Sequence, residues 1–447
     1  MQQKGSTVKQ ISLLFTISFF AAIPFAMLHT GETDLIKDYI NILVSPCPLI
    51  TDYFVIGSLP ATLLNAGLCG LLCTALLYIF DKGAYTATNL AGFFLVIAHC
   101  FYGLNIVNMI LPMMGIFLYC QVTKQSISEE LDIAMFSTSF GPFISELLFR
   151  YPFSKQLVFM IGKQAVSITG LLSAILIAIL LGFAIPAMLP GAKLLHKGFN
   201  LYNGGLACGL LGMFLFAFMY KTMGLPEPQS IKGSKTVDYR LFSNTFFIIV
   251  FLICLIKGWL MNGKTFKGYG QIIAESGHNV DFLSKYDPAL TWLNMGIYGL
   301  FIVACFDVIV VIFDGVSWTG PTFGVTIAAI TFAAAVQHPR NVFPIFIGYA
   351  VLYFLVNSIC AIYGRPMMWS LATQGYICAL AFATGLCPFS GVHGIIGGIL
   401  AGMISAILCP NTVTMHGGLM LYNGGLNAGI TAIILTPILA LYEKHKK

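Results

Sequence analysis

Apolar runs of roughly twenty residues, the length of helix that crosses a hydrocarbon core of about 30 Å, recur along this chain from Ile11 to its C-terminal region. Lipid offers no partner to a backbone N–H or C=O. Such a chain therefore folds as helices that satisfy their own backbone, and any irregular stretch at membrane depth is buried in protein or lines a wet cavity. Only 9% of the 447 residues are charged, against about 25% in a soluble domain, so a water-soluble fold could not cover itself. The expected class is an all-α integral membrane protein of about ten to fourteen membrane segments, some of them broken or re-entrant. The run Ile11 to His29 follows Lys4 and Lys9 but lacks a small-x-small cleavage site, so it is expected to be retained rather than removed as a signal peptide.

The chain is duplicated. His196-Lys-Gly-Phe-Asn-Leu-Tyr-Asn-Gly-Gly-Leu-Ala-Cys-Gly209 and His416-Gly-Gly-Leu-Met-Leu-Tyr-Asn-Gly-Gly-Leu-Asn-Ala-Gly429 agree at nine of fourteen positions. Earlier landmarks keep the same order: Asn65 answers Asn294, Asp81 answers Asp314, Gly92 and Pro112 answer Gly324 and Pro344, and Pro142-Phe143 answers Pro388-Phe389. Displacements of 229 to 246 residues, falling to 220 at the last motif, imply loop insertions in both halves. The expected organisation is a first membrane repeat over 1–222, a polar linker over 223–240 and a second repeat over 241–447. The lysines of Met1–Lys9, Lys221–Arg240 and Glu443–Lys447 would put both termini and the linker on the cytoplasmic side, which favours parallel repeats.

The net charge of +6 lies in these tails and loops and forms no stripe of the kind nucleic acid requires. The twelve cysteines sit mostly in apolar runs without Cys-x-x-Cys or Cys/His spacing, so no metal and no cofactor is expected. No nucleophile elbow, His-Glu-x-x-His or phosphate-binding loop is present, and covalent or metal catalysis finds no support.

Polar breaks within apolar stretches are the candidate functional positions. They fall at Tyr102-Gly103-Leu-Asn105, Phe140-Gly141-Pro142-Phe143, Gln337-His338-Pro339-Arg340 and Cys387-Pro388-Phe389-Ser390-Gly391. A helix that starts inside the membrane turns its positive dipole end toward an anionic or electron-rich group. The stretch from Gln337 to Arg340 is expected as a surface loop, because arginine is costly at depth. Asn65, Asn203, Asn294 and Asn423 each stand at a glycine-rich helix start, where they either bind a small polar solute or hold the broken backbone in place. Asn203 and Asn423, followed by Gly-x-x-x-Gly at Gly205–Gly209 and Gly425–Gly429, are the leading pair, with Pro142, Pro388 and Ser390 beside them. Asp307, seven residues before Asp314 in one apolar helix, lies about 10 Å from the helix end and is a candidate for ion or proton coupling. His393 and His416 are candidates for proton relay. Glu146 and Arg150 read as an i,i+4 ion pair near an interface.

The repeated Tyr-Asn-Gly-Gly-Leu in this duplicated layout resembles a family of bacterial multi-pass membrane proteins known only as a domain of unknown function. That resemblance covers nearly the whole chain and implies membrane location without a substrate. Tyr202 to Gly209 and Tyr422 to Gly429 are also similar, over about ten residues per repeat, to the Tyr/Phe-Asn-Gly-x-Leu-x-Gly pattern of urea transporters. The double Asn-Pro motif of that family is missing here, and the similarity implies a small solute only. The expected function is a transporter of a small polar or anionic solute, in a bacterial cytoplasmic membrane, through a site between the repeats. A small-solute channel of urea-transporter type and an intramembrane enzyme acting on a lipid-like substrate through His393, His416 and Asp307 are the alternatives. The expected partners are the solute and membrane lipid; nucleic acid is excluded and homo-oligomers are compatible with the chain.

Overall fold

The computed structural model describes residues 2–80, 85–152, 158–162, 164–233, 238–366 and 373–446, so the landmark Asp81 lies outside the described residues. The first half runs α1 (Gln2–Thr30), α2 (Leu35–Val44), α3 (Tyr53–Ile56), α4 (Leu59–Ile79), α5 (Ala87–His99), α6 (Ile106–Thr123), α7 (Leu131–Ser137) and α8 (Gly141–Phe149). A hairpin of β1 (Val158–Ile161) and β2 (Gln164–Ser167) leads to α9 (Ile168–His196) and α10 (Asn203–Phe216). The second half repeats the order: α11 (Arg240–Met261), α12 (Tyr269–Ala274), α13 (Phe282–Lys285), α14 (Pro288–Ile312), α15 (Gly320–Ala329), α16 (Pro339–Ile362), α17 (Gln374–Ala383), α18 (Cys387–Met415) and α19 (Asn423–Lys446). Among the described residues ten helices are long and apolar enough to cross a membrane, five in each half. The longest of these, residues 374–415, is not straight: Gly394 at φ 71° and ψ −168° divides α18.

The helices start where the sequence supplies caps. Ser58 accepts the Ala61 N–H before Pro60 opens α4, and Asp287 accepts the Ala289 N–H before Pro288 opens α14. Within each half the long helices meet through glycine. A Cβ on Gly115 of α6 would lie 2.0 Å from the Ala178 carbonyl oxygen of α9, and one on Gly402 of α18 would lie 2.4 Å from the Ile345 carbonyl oxygen of α16. Lipid supplies no hydrophobic drive for helices to associate, so this backbone-to-backbone approach is what holds them.

The short helices α5 and α15 end inside protein, and their C-terminal carbonyls need donors. Asn65 Nδ2 donates to the carbonyls of Cys100 and Leu104, at 2.8 Å each, and Asn294 Nδ2 to those of Ala333 and Gln337, at 2.7 Å each. The spans that follow are capped in the same way. Asn105 and Asn108 form a capping box at the start of α6, and His338 and Asn341 form one at α16. Asn108 and Asn341 also donate to the carbonyls of Gly103 and Val336. Residues 337–340 are thus not a surface loop: Gln337 and His338 are fully buried in the break between α15 and α16, and Arg340 alone reaches the surface, so it carries no burial cost.

The two opening helices settle the symmetry. Along the α1–α11 contact Gln10 meets Lys257, Phe15 meets Phe251, Phe19 meets Phe246 and His29 meets Phe242. As one number rises the other falls, so equivalent helices are antiparallel and the repeats are inverted. The expectation of parallel repeats fails because loop charge ignores the short helices, and each half carries an odd number of long spans. The linker joins the end of the bundle where α1 finishes: Asp52 N–H donates to the Ile231 carbonyl there, while Gln10 and Lys257 mark the other end.

Asp52 ties the repeats at that end. Its Oδ1 accepts the Phe54 N–H at 2.9 Å, capping α3, and the Gly320 N–H at 3.1 Å, at the start of α15. Burial raises its carboxyl to about 6, against the opposing pull of these two N–H groups. A raised acid pKa means that the folded protein holds the proton more tightly than the unfolded chain, so stability falls as pH rises from about 4 to 6 and stays low above it. Thermal midpoints should therefore be lower at pH 7 than at pH 5, and Asp52→Asn should flatten that difference; an unchanged profile in the variant would exclude Asp52 as its source. A protease site inserted at Gln229 should be cut from the membrane face opposite to a C-terminal tag, and cleavage of both from one face would refute the inverted arrangement.

Candidate functional site

The two Tyr-Asn-Gly-Gly loops meet at the centre of the molecule. A Cβ on Gly205 would fall 2.5 Å from Gly425 Cα, and one on Gly425 would fall 2.8 Å from Gly205 Cα. Gly209 packs on Leu426 as Gly429 packs on Leu206. Each residue meets the partner of its own equivalent, which is the signature of a two-fold contact. The loops are also exchanged between repeats. Leu201 N–H donates to the Gly385 carbonyl at 3.1 Å and Leu421 N–H to the Ser139 carbonyl at 2.9 Å. These carbonyls lie in and beside the single 3₁₀ turns Thr138–Phe140 and Thr384–Leu386 that precede Pro142 and Pro388.

Around this crossing stands a septum of rings. Tyr202 packs against Phe332 at 4.9 Å and Phe382 at 5.5 Å, and Tyr422 packs against His99 at 5.0 Å and Phe136 at 6.2 Å between ring centres. His99, at the end of α5, is fully enclosed, with Nδ1 at 2.5 Å from the Leu95 carbonyl and Nε2 at 3.1 Å from the Leu421 carbonyl. A neutral imidazole carries one N–H and can satisfy only one of these acceptors. Protonation would satisfy both.

A cavity reaches the septum from each end of the bundle. The first, of about 530 Å³, opens beside Gln125, Glu130 and Lys193 at the end that carries Gln10, and reaches Tyr202, Asn203 and Tyr422. The second, of about 320 Å³, opens beside Leu49 and Thr373 at the linker end and reaches Leu421, Asn423 and Gly424. Their walls are equivalent: Pro190 and Asn203 in one correspond to Pro410 and Asn423 in the other, and Phe136 to Phe382. Their chemistry is not. Glu130, Asp132 and Lys193 of the first are replaced by Tyr376, Cys378 and Val413 in the second. Among the described residues the buried Glu130 Oε2 has no hydrogen-bond partner. The loops share one pairing: His416 Nε2 and Asn423 Oδ1 lie 3.0 Å apart, and the equivalent His196 side chain faces Asn203.

Asn203 and Asn423 thus face different cavities, one on each side of the septum, instead of converging on one ligand. Asn65 and Asn294 line neither and are consumed by the carbonyls they hold. Pro142 and Pro388 line neither; their turns anchor the exchanged loops. Ser390 belongs to a separate groove. Asp307 receives both ends of the Arg240 guanidinium at 2.7 Å, with Asn244 and Trp318 completing its shell, and it lines neither cavity. His393 stacks at 5.3 Å on Phe199, and His416 serves Asn423. Asp307, His393 and His416 therefore do not assemble one site. Glu146 pairs with Arg150 at 3.3 Å, and Arg150 also reaches the Val44 carbonyl. Sequence reasoning passed over Tyr202, Tyr422, His99, Glu130 and Asp132. The two tyrosines stood inside the repeated motif beside the asparagines, and the 246-residue displacement that pairs Pro142 with Pro388 also pairs Glu130 with Tyr376 and Asp132 with Cys378. Among the described residues no group of three or more His, Cys, Asp or Glu is placed to hold a metal ion.

A family model described as "Protein of unknown function (DUF1576)" matches residues 31–221 and again residues 261–441. No curated protein and no solved structure matches the chain.

Gly205→Ala and Gly425→Ala should each lower stability by roughly 1–3 kcal/mol, the usual cost of forcing a side chain into a filled contact. Their double variant should lose less than the sum, because one backbone shift relieves both. Additive losses in thermal or denaturant unfolding would show that the two glycines do not share a contact.

Proposed function

The chain belongs to the DUF1576 family, matched once by each half, and from the ten apolar helices among its described residues we propose that it transports a small polar solute across a bacterial-type cytoplasmic membrane. The observation that carries this reading is the pair of equivalent cavities that approach one septum from opposite ends of the bundle. Discontinuous helices at the interface of inverted repeats are where secondary transporters place their substrate, because exchanging the roles of two equivalent halves exchanges the side that is open. A septum closed by Tyr202, Tyr422 and the Gly205–Gly425 contact favours a carrier over an open channel. The scattered positions of Asp307, His393 and His416 count against the lipid-active enzyme.

Glu130 and Asp132 at the mouth of the first cavity favour a neutral or cationic solute over an anionic one. We assign both termini to the cytoplasm, since Lys9, Lys124, Lys193, Lys197, Lys257, Lys264, Lys267, Lys285 and Arg340 lie at their end of the bundle and outnumber Lys37, Arg150, Lys221, Lys232, Arg240 and Arg365 at the other among the described residues. His99 takes the coupling role first sought at Asp307, His393 and His416, since it alone among these groups touches the septum.

The test is a thermal-shift screen of the purified protein against small neutral and cationic metabolites, in which a ligand at 100 times its dissociation constant stabilises by about 2.7 kcal/mol. The expected result is a hit that Asn203→Ala or Asn423→Ala weakens and that is carried into proteoliposomes. In His99→Gln the pH dependence of that uptake should disappear while binding persists. A hit that survives both asparagine substitutions unchanged would overturn the assignment of the cavities, and pH dependence retained in His99→Gln would remove the coupling role.

A further inference from the structure

We infer that the Asp52 carboxylate is a latch that holds the mouth of the second cavity narrow, and that this mouth widens when the latch parts from α15. One rim of the mouth belongs to the first repeat at Leu49 and Ile50, the other to the second repeat at Thr373 and Gly375. Two residues beyond Ile50, Asp52 is only 2% exposed, and its Oδ1 accepts the Gly320 N–H at 3.1 Å, at the start of α15. Further along the first turn of α15, Thr322 Oγ1 accepts a hydrogen bond from Gln374 Nε2 at 2.5 Å, and Gln374 stands between Thr373 and Gly375. The two rims are therefore strapped together through Asp52, the first turn of α15 and Gln374. The linker lies over the strap. Asp52 N–H donates to the Ile231 carbonyl at 2.8 Å, Ile231 N–H donates to Thr51 Oγ1 at 3.3 Å, and a Cβ on Gly233 would run into Asp52 Oδ2.

The strap exists at one end only. The 229-residue displacement that pairs Asn65 with Asn294 also pairs Asp52 with Asp281, and α13 meets α5 as α3 meets α15. Among the described residues, however, the Asp281 carboxylate accepts only from its own repeat, the Leu283 N–H at 3.0 Å and the Ser284 hydroxyl at 2.7 Å. The difference has a steric cause. A Cβ on Gly320 would lie 2.6 Å from Asp52 Oδ1 and 2.8 Å from the Phe101 carbonyl oxygen, whereas α5 opens with Ala87, whose methyl group takes up the equivalent space. The cavity without a latch is the larger, about 530 Å³ against about 320 Å³. Packed interfaces switch between discrete arrangements instead of deforming continuously, so one such tie decides which end stays shut. The latch rests on the carrier reading for what its opening admits, and on the strap alone for the opening itself.

Cys378 and Cys409 line the second cavity and report on its mouth. The experiment treats the purified full-length protein with a hydrophilic maleimide, with no solute present, and follows the labelling rate of these two thiols by peptide mass mapping. Asp52→Ala is expected to raise both rates roughly tenfold, the population shift that follows the loss of one hydrogen bond to a charged group. Gln374→Ala should give a smaller rise, and Asp281→Ala none, while Cys73 and Cys254, buried outside the cavity, stay unlabelled in all three. If Asp52→Ala does not yield folded protein, Gln374→Ala carries the comparison. Unchanged rates in both variants, an equal rise in Asp281→Ala, or labelling of Cys73 and Cys254 along with the cavity thiols would each overturn the latch. Because no solute enters the assay, a failed latch leaves the transport reading standing, and failure to find a transported solute leaves the labelling result standing.

Discussion

The rule that no backbone polar group can be left unpaired inside a membrane is what the rest of this structure rests on. The chain breaks its helices at depth, and every break that it makes must be closed by protein. Asn65 and Asn294 do this by donating twice to the loosened ends of α5 and α15. Asn105 and His338 then cap the spans that follow. The asparagines are spent on the scaffold, holding the broken helix ends together.

Exchange between the repeats follows from the same need. The turns before Pro142 and Pro388 leave carbonyls that their own repeat does not satisfy, and the loop of the other repeat supplies the N–H. Because the repeats are inverted, the two exchanged loops approach head to head. Glycines at 205 and 425 let their backbones touch, which brings two aromatic clusters together as one wall across the bundle. The cavities on either side of that wall are equal in backbone and unequal in charge. A solute crossing from one to the other would meet carboxylates on one side only.

Much of this was legible in the residues. The duplication, the membrane class, the positions of the breaks and the Glu146–Arg150 pair all follow from local spacing and composition. Other readings failed for identifiable reasons. Asp307 looked like a lone acid at depth because Arg240 is 67 residues away in sequence and lies beside it only when α11 packs on α14. Residues 337–340 looked like a surface loop because a sequence does not reveal that Arg340 alone turns outward. His99 passed unnoticed because an apolar helix with one histidine has many explanations, and its contact with Leu421 lies 322 residues away.

Taken alone, the sequence determined that the chain lives in a membrane, that it is built twice, and where its helices must stop, since hydropathy, repetition and glycine or proline act through neighbouring residues. The tertiary structure decided that the repeats are inverted, that Asn65 and Asn294 are structural while Asn203 and Asn423 face separate cavities, and that tyrosine and histidine rings form the barrier between them. Those properties depend on which distant groups meet, and in a duplicated chain the same local motif can serve either a parallel or an antiparallel pairing. Only the packed helices distinguish the two.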